Sequence, residues 1–138
     1  MSQENVEVVR AALAAWNTGD TGALREAMDP NVLVRPIEGW PEPGPFVGRE
    51  AVLRWFEQLR EAWDTDAMAP ISFTDAGDRV LVRLLWRGAG QGPESNMQFT
   101  VIYMLRKGVI VYQEHYWDHA EALEAVGLTE QDGQQDVL

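Results

Sequence analysis

The chain has 138 residues, 46% of them hydrophobic and 24% charged, which is the composition of an ordinary globular protein and the length of one domain. Twenty-two Asp and Glu against eleven Lys and Arg leave a net charge of −11, repelling phosphate backbones and anionic bilayers, so neither nucleic acid nor a membrane is an expected partner. The absence of cysteine excludes disulfides, thiolate metal sites and a Cys nucleophile, and two histidines are too few for a zinc site, so no metal and no cofactor are expected.

The opening MSQENVEVVR has neither the basic nor the apolar region of a signal peptide, and no apolar run approaches the ~20 residues that span a bilayer. A cytoplasmic protein is expected. Val6, Val9, Leu13 and Trp16 recur at helical spacing and predict a helix from about Gln3 to Asn17. Gly19 suits its end, and Asp20 can cap a short second helix through Leu24 and Met28. Val32 to Arg35 is β-branched and bounded by Pro30 and Pro36, a short strand. The stretch PIEGWPEPGPFVG then reads as a stiff loop, with Trp40 placed to serve as a lid.

Gly48 to Trp63 carries a wide apolar stripe of Val52, Trp55, Phe56, Leu59 and Trp63 and predicts the strongest helix. The period then changes to that of strands: a short run around Ile71 to Thr74, then Arg79 to Arg87, Asn96 to Arg106 and Val109 to Asp118. Hairpin turns are expected at Asp75 to Asp78 and at Lys107-Gly108, with a longer glycine-rich connection from Gly88 to Glu94. HAEALEAV, from His119, is a short last helix stopped by Gly127, and residues 129–138 read as a polar tail. Helices first and a meander after them predict an α+β domain over residues 1–128, three N-terminal helices packed on a strongly curved, mostly antiparallel sheet. Such a sheet closes into a cone whose apolar cavity is the natural place for a small-molecule site.

The helix ending AAWNTGD, the DPNV lead into a strand, the GREAVLRWF helix start and the closing YWDHAEALEAVGL together resemble the nuclear transport factor 2-like superfamily, and within it the SnoaL-like polyketide cyclase branch, over residues 3 to 128. The resemblance implies a cone-shaped α+β barrel and a homodimer formed through the outer sheet face. It also implies a range of activities from ketosteroid isomerases and polyketide cyclases to epoxide hydrolases and non-catalytic binders, so fold alone does not choose the function. Set against the isomerases of that superfamily, the positions of the catalytic tyrosine and two aspartates hold Ala12, Arg35 and Val101.

Alternation along the strands, phased by the same similarity, turns Gln113, His115 and Trp117 inward, with Met97, Phe99, Val101, Tyr103 and Leu105 from one neighbour and Val80, Val82, Leu84 and Trp86 from the next. Leu33 and Arg35 are assigned to the inner face of the first strand, and Trp16, Trp55 and Phe56 close the wall. His115 and Arg35 are the candidate catalytic residues, an imidazole for proton transfer and a cation to hold a developing oxyanion. Trp16, Trp55, Phe56, Trp86, Phe99, Tyr103, Gln113 and Trp117 are the candidate substrate contacts, with Gln113 expected to orient His115 by a hydrogen bond. No carboxylate is expected on an inward position of the long strands. The expected ligand is a small apolar or amphipathic organic molecule. Three readings stay open: acid/base isomerase, cyclase or hydrolase chemistry on a cyclic or polyketide-like molecule; a non-catalytic carrier or sensor; and a structural dimer whose cone is filled by its own tryptophans.

Overall fold

A computed structural model of the chain describes residues 2–42, 44–90 and 92–129. The polar tail expected beyond Thr129 lies outside the described residues. In chain order the elements are α1 (Ser2–Thr18), α2 (Thr21–Ala27), β1 (Met28–Arg35), β2 (Phe46–Val47), α3 (Arg49–Glu61), β3 (Thr65–Ala76), β4 (Arg79–Ala89), β5 (Ser95–Arg106), β6 (Val109–Tyr116) and α4 (His119–Ala125).

The helices form where the apolar period demands. Val6, Val9, Leu13 and Trp16 of α1 are all buried, one stripe against the inner face of the sheet. Gly19 then takes φ +73°, and the amides of Gly19 and Asp20 return to the carbonyls of Trp16 and Ala15 at 3.1 and 2.9 Å, closing the helix. The Asp20 carboxylate caps α2 by accepting the Ala23 amide at 3.0 Å. Val52, Leu53 and Trp55 are the buried stripe of α3. Its first residue follows Gly48, whose amide donates to the Val32 carbonyl at 2.8 Å and so ties the helix start to β1.

The six strands form one sheet in the order β2-β1-β6-β5-β4-β3, antiparallel throughout except for the parallel β1–β6 pair. Lys107 and Gly108 turn the β5–β6 hairpin with φ of 53° and 80°, the two positive values that a type I′ turn requires. The main core lies between the helices and the inner face of the sheet.

The first strand starts at Met28, expected in the second helix, rather than at Val32, and two larger features also depart from the sequence expectation. The third strand is twelve residues long and begins at Thr65, six residues before the expected Ile71. It is an edge strand, so Pro70 costs it no ladder bond on the open side, and a register shift between Pro70 and Ser72 absorbs the irregularity. Alternate burial from Thr65 to Ser72 is real but is carried by Asp66, Met68 and Pro70 rather than by β-branched residues. The proline-rich loop also contains a two-residue strand, β2, paired with β1 through Leu33–Val47 and Val34–Phe46.

The fourth helix packs on the opposite face of the sheet. Its Ala122 and Leu123 are fully buried against Leu81 and Ile102, making a second and smaller core. Asp118 caps it by accepting the Ala120 amide at 2.9 Å, and Gly127 ends it at φ +79°.

Candidate functional site

Between the helices and the inner face the structure leaves a cavity of about 470 Å³, within the range of small-molecule sites. The cone is therefore not filled by its own tryptophans; all six of them line an open space.

Strand register arranges the wall in layers. Val80, Tyr103 and Gln113 stand side by side across β4, β5 and β6, as do Val82, Val101 and His115; Leu84 with Phe99 and Trp86 with Met97 follow toward the other end. Met68 and Asp66 of β3 continue past Trp86 and Gly88. Tyr103 and Gln113 are buried at 6% exposure while Trp117 reaches 51%, so the first layer is the floor and the last lies near the mouth. From the helices Trp16, Trp55 and Phe56 complete the enclosure, with Phe56 edge-on to Trp16 at 5.2 Å and tilted on Trp55 at 5.7 Å. Trp40, from the proline-rich loop, meets Trp55 edge-on at 6.4 Å. Its side chain joins the cavity wall and packs against the main core.

The expected inward sets of β4, β5 and β6 are thus observed: Trp86, Phe99, Tyr103, Gln113, His115 and Trp117 all line the cavity. Arg35 does not. In the β1–β6 register Val34 stands beside Gln113 and Arg35 beside Glu114, so the inward residues of β1 are Val32 and Val34, both fully buried. A shift of one residue in phase exchanges the faces, and it carries Leu33 and Arg35 outward. There the Arg35 guanidinium lies beside Tyr112, where it opposes the rise in phenol pKa caused first by burial and then by Glu114. Among the described residues none of the lining side chains is Lys or Arg.

What Arg35 supplies to the site is its backbone. Its carbonyl lies 2.8 Å from His115 Nδ1. A carbonyl only accepts, so Nδ1 carries the proton and Nε2 is left as the basic nitrogen of a neutral ring. Burial lowers the His115 pKa below its ordinary value, with the Arg35 carbonyl and Glu114 opposing the shift more weakly. The expected hydrogen bond from Gln113 to His115 is not formed; the backbone of β1 orients the ring in its place, and Phe99 packs on it at 5.9 Å between centroids.

Tyr103 is the second titratable group of the wall. Burial raises its pKa, so the phenol stays protonated and can donate. Neither its hydroxyl nor the Gln113 amide is bonded to another described residue, although they are cross-strand neighbours on the cavity floor. Buried polar groups without partners are uncommon in folded proteins, and in a cavity they are available to a ligand. Trp117 is held at the mouth by its indole N–H, which donates to the Glu38 carbonyl at 2.9 Å.

The cavity residue that sequence reasoning missed is Asp66. Its Oδ2 accepts the indole N–H of Trp16 at 2.7 Å and of Trp86 at 3.2 Å, placing a carboxylate in the cavity wall. The signal was the alternation Asp66, Met68, Pro70, which an unrecognised strand concealed. Gly88, opposite Asp66, is required for this arrangement: a Cβ there would lie 2.3 Å from the Trp86 ring and 2.9 Å from Trp63. Among the described residues no group of three or more His, Cys, Asp or Glu could hold a metal ion, and no helix is long and apolar enough to cross a membrane.

Comparison with known proteins agrees with this geometry. The chain is similar in structure to a candidate polyketide cyclase from Sinorhizobium meliloti, with 28% identity, a TM-score of 0.68 and coverage of 79% of this chain and 93% of that one. It is similar also to TerC co-crystallized with polyporic acid (21% identity, TM-score 0.74, covering 89% and 98%) and to RV0760c from Mycobacterium tuberculosis in complex with estradiol-17β-hemisuccinate (17%, 0.72, 84% and 95%). None of the curated proteins matches it in sequence. The sequence profile of the SnoaL-like domain matches residues 9–113, which span α1 through most of β6 and supply nearly all of the cavity wall, and the chain belongs to the SnoaL-like domain family.

Proposed function

We propose that the protein is an acid/base catalyst acting on a small apolar cyclic molecule bearing a carbonyl group, with His115 as the base. The observation that carries this reading is the hydrogen bond from His115 Nδ1 to the Arg35 carbonyl, which fixes the tautomer and leaves Nε2 basic in a largely apolar cavity. In the proposed step Nε2 takes a proton from the carbon next to the carbonyl, and the electron pair of that C–H bond moves onto the carbonyl oxygen as an enolate. The Tyr103 hydroxyl and the Gln113 amide N–H on the floor, neither bonded to another described residue, supply the hydrogen bonds that such an oxyanion requires. Where the ligand carries a β,γ-double bond the enolate is a dienolate, and return of the proton from the imidazolium to the γ-carbon completes an isomerisation that shifts the double bond into conjugation with the carbonyl. The same enolate attacking a second carbonyl of the ligand would complete a ring closure.

An apolar ring system is supported by the aromatic wall and by the estradiol skeleton bound to one structural relative. The test is hydrogen–deuterium exchange at the α-carbon of a bicyclic ketone such as tetralone, followed by NMR in deuterated water. Exchange accelerated by the wild type and abolished in His115→Ala supports the proposal. Binding without exchange makes the protein a carrier instead. We also propose that a second copy of the chain docks on the part of the outer sheet face that α4 leaves uncovered, around Arg83, Leu85 and Tyr112; sedimentation of wild type against Leu85→Glu tests it.

A further inference from the structure

The carboxylate of Asp66 is the unexplained charge of the cavity. Its Oδ2 already accepts two indole N–H groups, while among the described residues Oδ1 has no partner and no Lys or Arg lines the cavity to offset the charge. Asp66 makes no ion pair with any described residue. A partly buried carboxylate held by hydrogen bonds from one side and left open on the other is a counter-ion without its ion. The rings around it are tryptophans: Trp16 and Trp86 at its donors, and Trp63 edge-on to Trp86 at 5.0 Å; the Arg60 guanidinium already lies over Trp16, 5.1 Å from its centroid, so Trp86 and Trp63 are the rings offered to a ligand. Indole is the aromatic side chain most attractive to an organic cation, and a net charge of −11 raises the local concentration of cations around the whole molecule.

We propose that Asp66 and the tryptophans around it recognise an ammonium group, so that the ligand of this cavity is an apolar amine rather than an acid. This rests on the reading of the cavity as a small-molecule site and names its substrate class. The register sets the orientation. Asp66 lies at the mouth side of Trp86, while Tyr103 and Gln113 are on the floor. The ammonium group therefore stays near the mouth, and the apolar body of the ligand enters first, toward His115 and the floor.

The experiment compares three probes on one skeleton by calorimetry at neutral pH: naphthylmethylammonium, naphthylmethanol and naphthoate. The ammonium is expected to bind roughly tenfold more tightly than the alcohol, with the carboxylate weakest, because only the cation pairs with the Asp66 charge. Asp66→Asn keeps an acceptor for both indoles and removes the charge; it should bring the ammonium to the affinity of the alcohol and leave the alcohol unchanged. His115→Phe should preserve the ranking, which separates this inference from the proton-transfer proposal. If the alcohol or the acid matches the ammonium in wild type, if no probe binds, or if Asp66→Asn keeps the ranking, the inference is overturned. The wild-type ranking stands by itself should the variant fail to fold. A ranking that fails while the alcohol still binds leaves the role of His115 intact.

Discussion

Tyr103 and Tyr116 stand on neighbouring strands of one sheet and face opposite ways, and their hydroxyls have opposite fates. On the outer face Tyr116 donates to Glu114 at 2.9 Å, and its pKa is pushed up to about 12 by burial and by that carboxylate. Nearby, Thr100 and His119 Nδ1 lie 2.8 Å apart, and Arg35 sits beside Tyr112. On the inner face Tyr103 and Gln113 are more deeply buried yet bonded to no described residue. The outer tyrosine therefore spends its hydroxyl on structure, whereas Tyr103 and Gln113 on the cavity floor leave theirs to a ligand, as a binding site requires.

His115 is where breaking this contrast costs most. If the ring is the base, His115→Ala should lower the rate of α-proton exchange by roughly 10²- to 10⁴-fold with little change in ligand affinity. The pH dependence has a defined sign. Because burial depresses the pKa of the folded-state histidine, the base form persists below pH 6.5 and the rate should fall only on further acidification. The same shift acts on stability. Between the unfolded-state value near 6.5 and the lower folded one, the unfolded chain binds more protons, so stability is lost as pH falls through that window. Denaturant titrations of wild type and His115→Phe across that range should diverge there and run parallel at higher pH.

The two tyrosines sharpen the contrast in a smaller measure. Removing the Tyr103 hydroxyl deletes a donor that the folded protein does not use; Tyr103→Phe should fold as well as wild type but lose about 10²-fold in exchange rate, the scale of one oxyanion donor. Tyr116→Phe should do the reverse, losing about 0.5–1.5 kcal/mol of stability with the exchange rate intact. Parallel loss of rate in both would mean that the inner face has no special role.

The second core offers a purely structural comparison. Leu123 is fully buried against Leu81 and Ile102, on the side of the sheet away from the cavity. Leu123→Ala should cost about 2–5 kcal/mol in unfolding free energy while ligand affinity is unchanged. A variant that lost affinity as well would show that α4 supports the cavity wall through the sheet.

Most of this architecture was legible in the residues because apolar periodicity dominates where burial is strong. The stripe of α1, the stripe of α3, the Lys107-Gly108 turn and the alternation of β4, β5 and β6 each admit one arrangement. Legibility failed where packing is one-sided. The first half of β3 is an edge strand built from Asp66, Ala67, Met68, Ala69 and Pro70, residues with poor strand propensity that pair only with β4. Losing those residues meant losing Asp66, the one carboxylate that lines the cavity among the described residues. The first strand failed for another reason: Val32, Leu33 and Val34 are all apolar, so periodicity could not fix the phase, and only pairing with Gln113 and Glu114 decides it.

Arg35 gives the smallest expected effect and the most direct check on that phase. Its guanidinium is outward, while its carbonyl, which no side-chain replacement removes, holds His115. Arg35→Ala should therefore leave the affinity for a neutral cavity ligand and the rate of proton exchange within a factor of about two, since the side chain touches neither. The replacement withdraws the cation beside Tyr112, so the Tyr112 phenol should titrate at higher pH than in wild type. Substitution by proline at the neighbouring Val34 would instead disturb the β1 backbone next to the carbonyl that fixes the His115 ring, and should lower exchange with Arg35 intact. Loss of activity in Arg35→Ala with the fold preserved would return the guanidinium to the site and reverse the inward and outward faces assigned to β1.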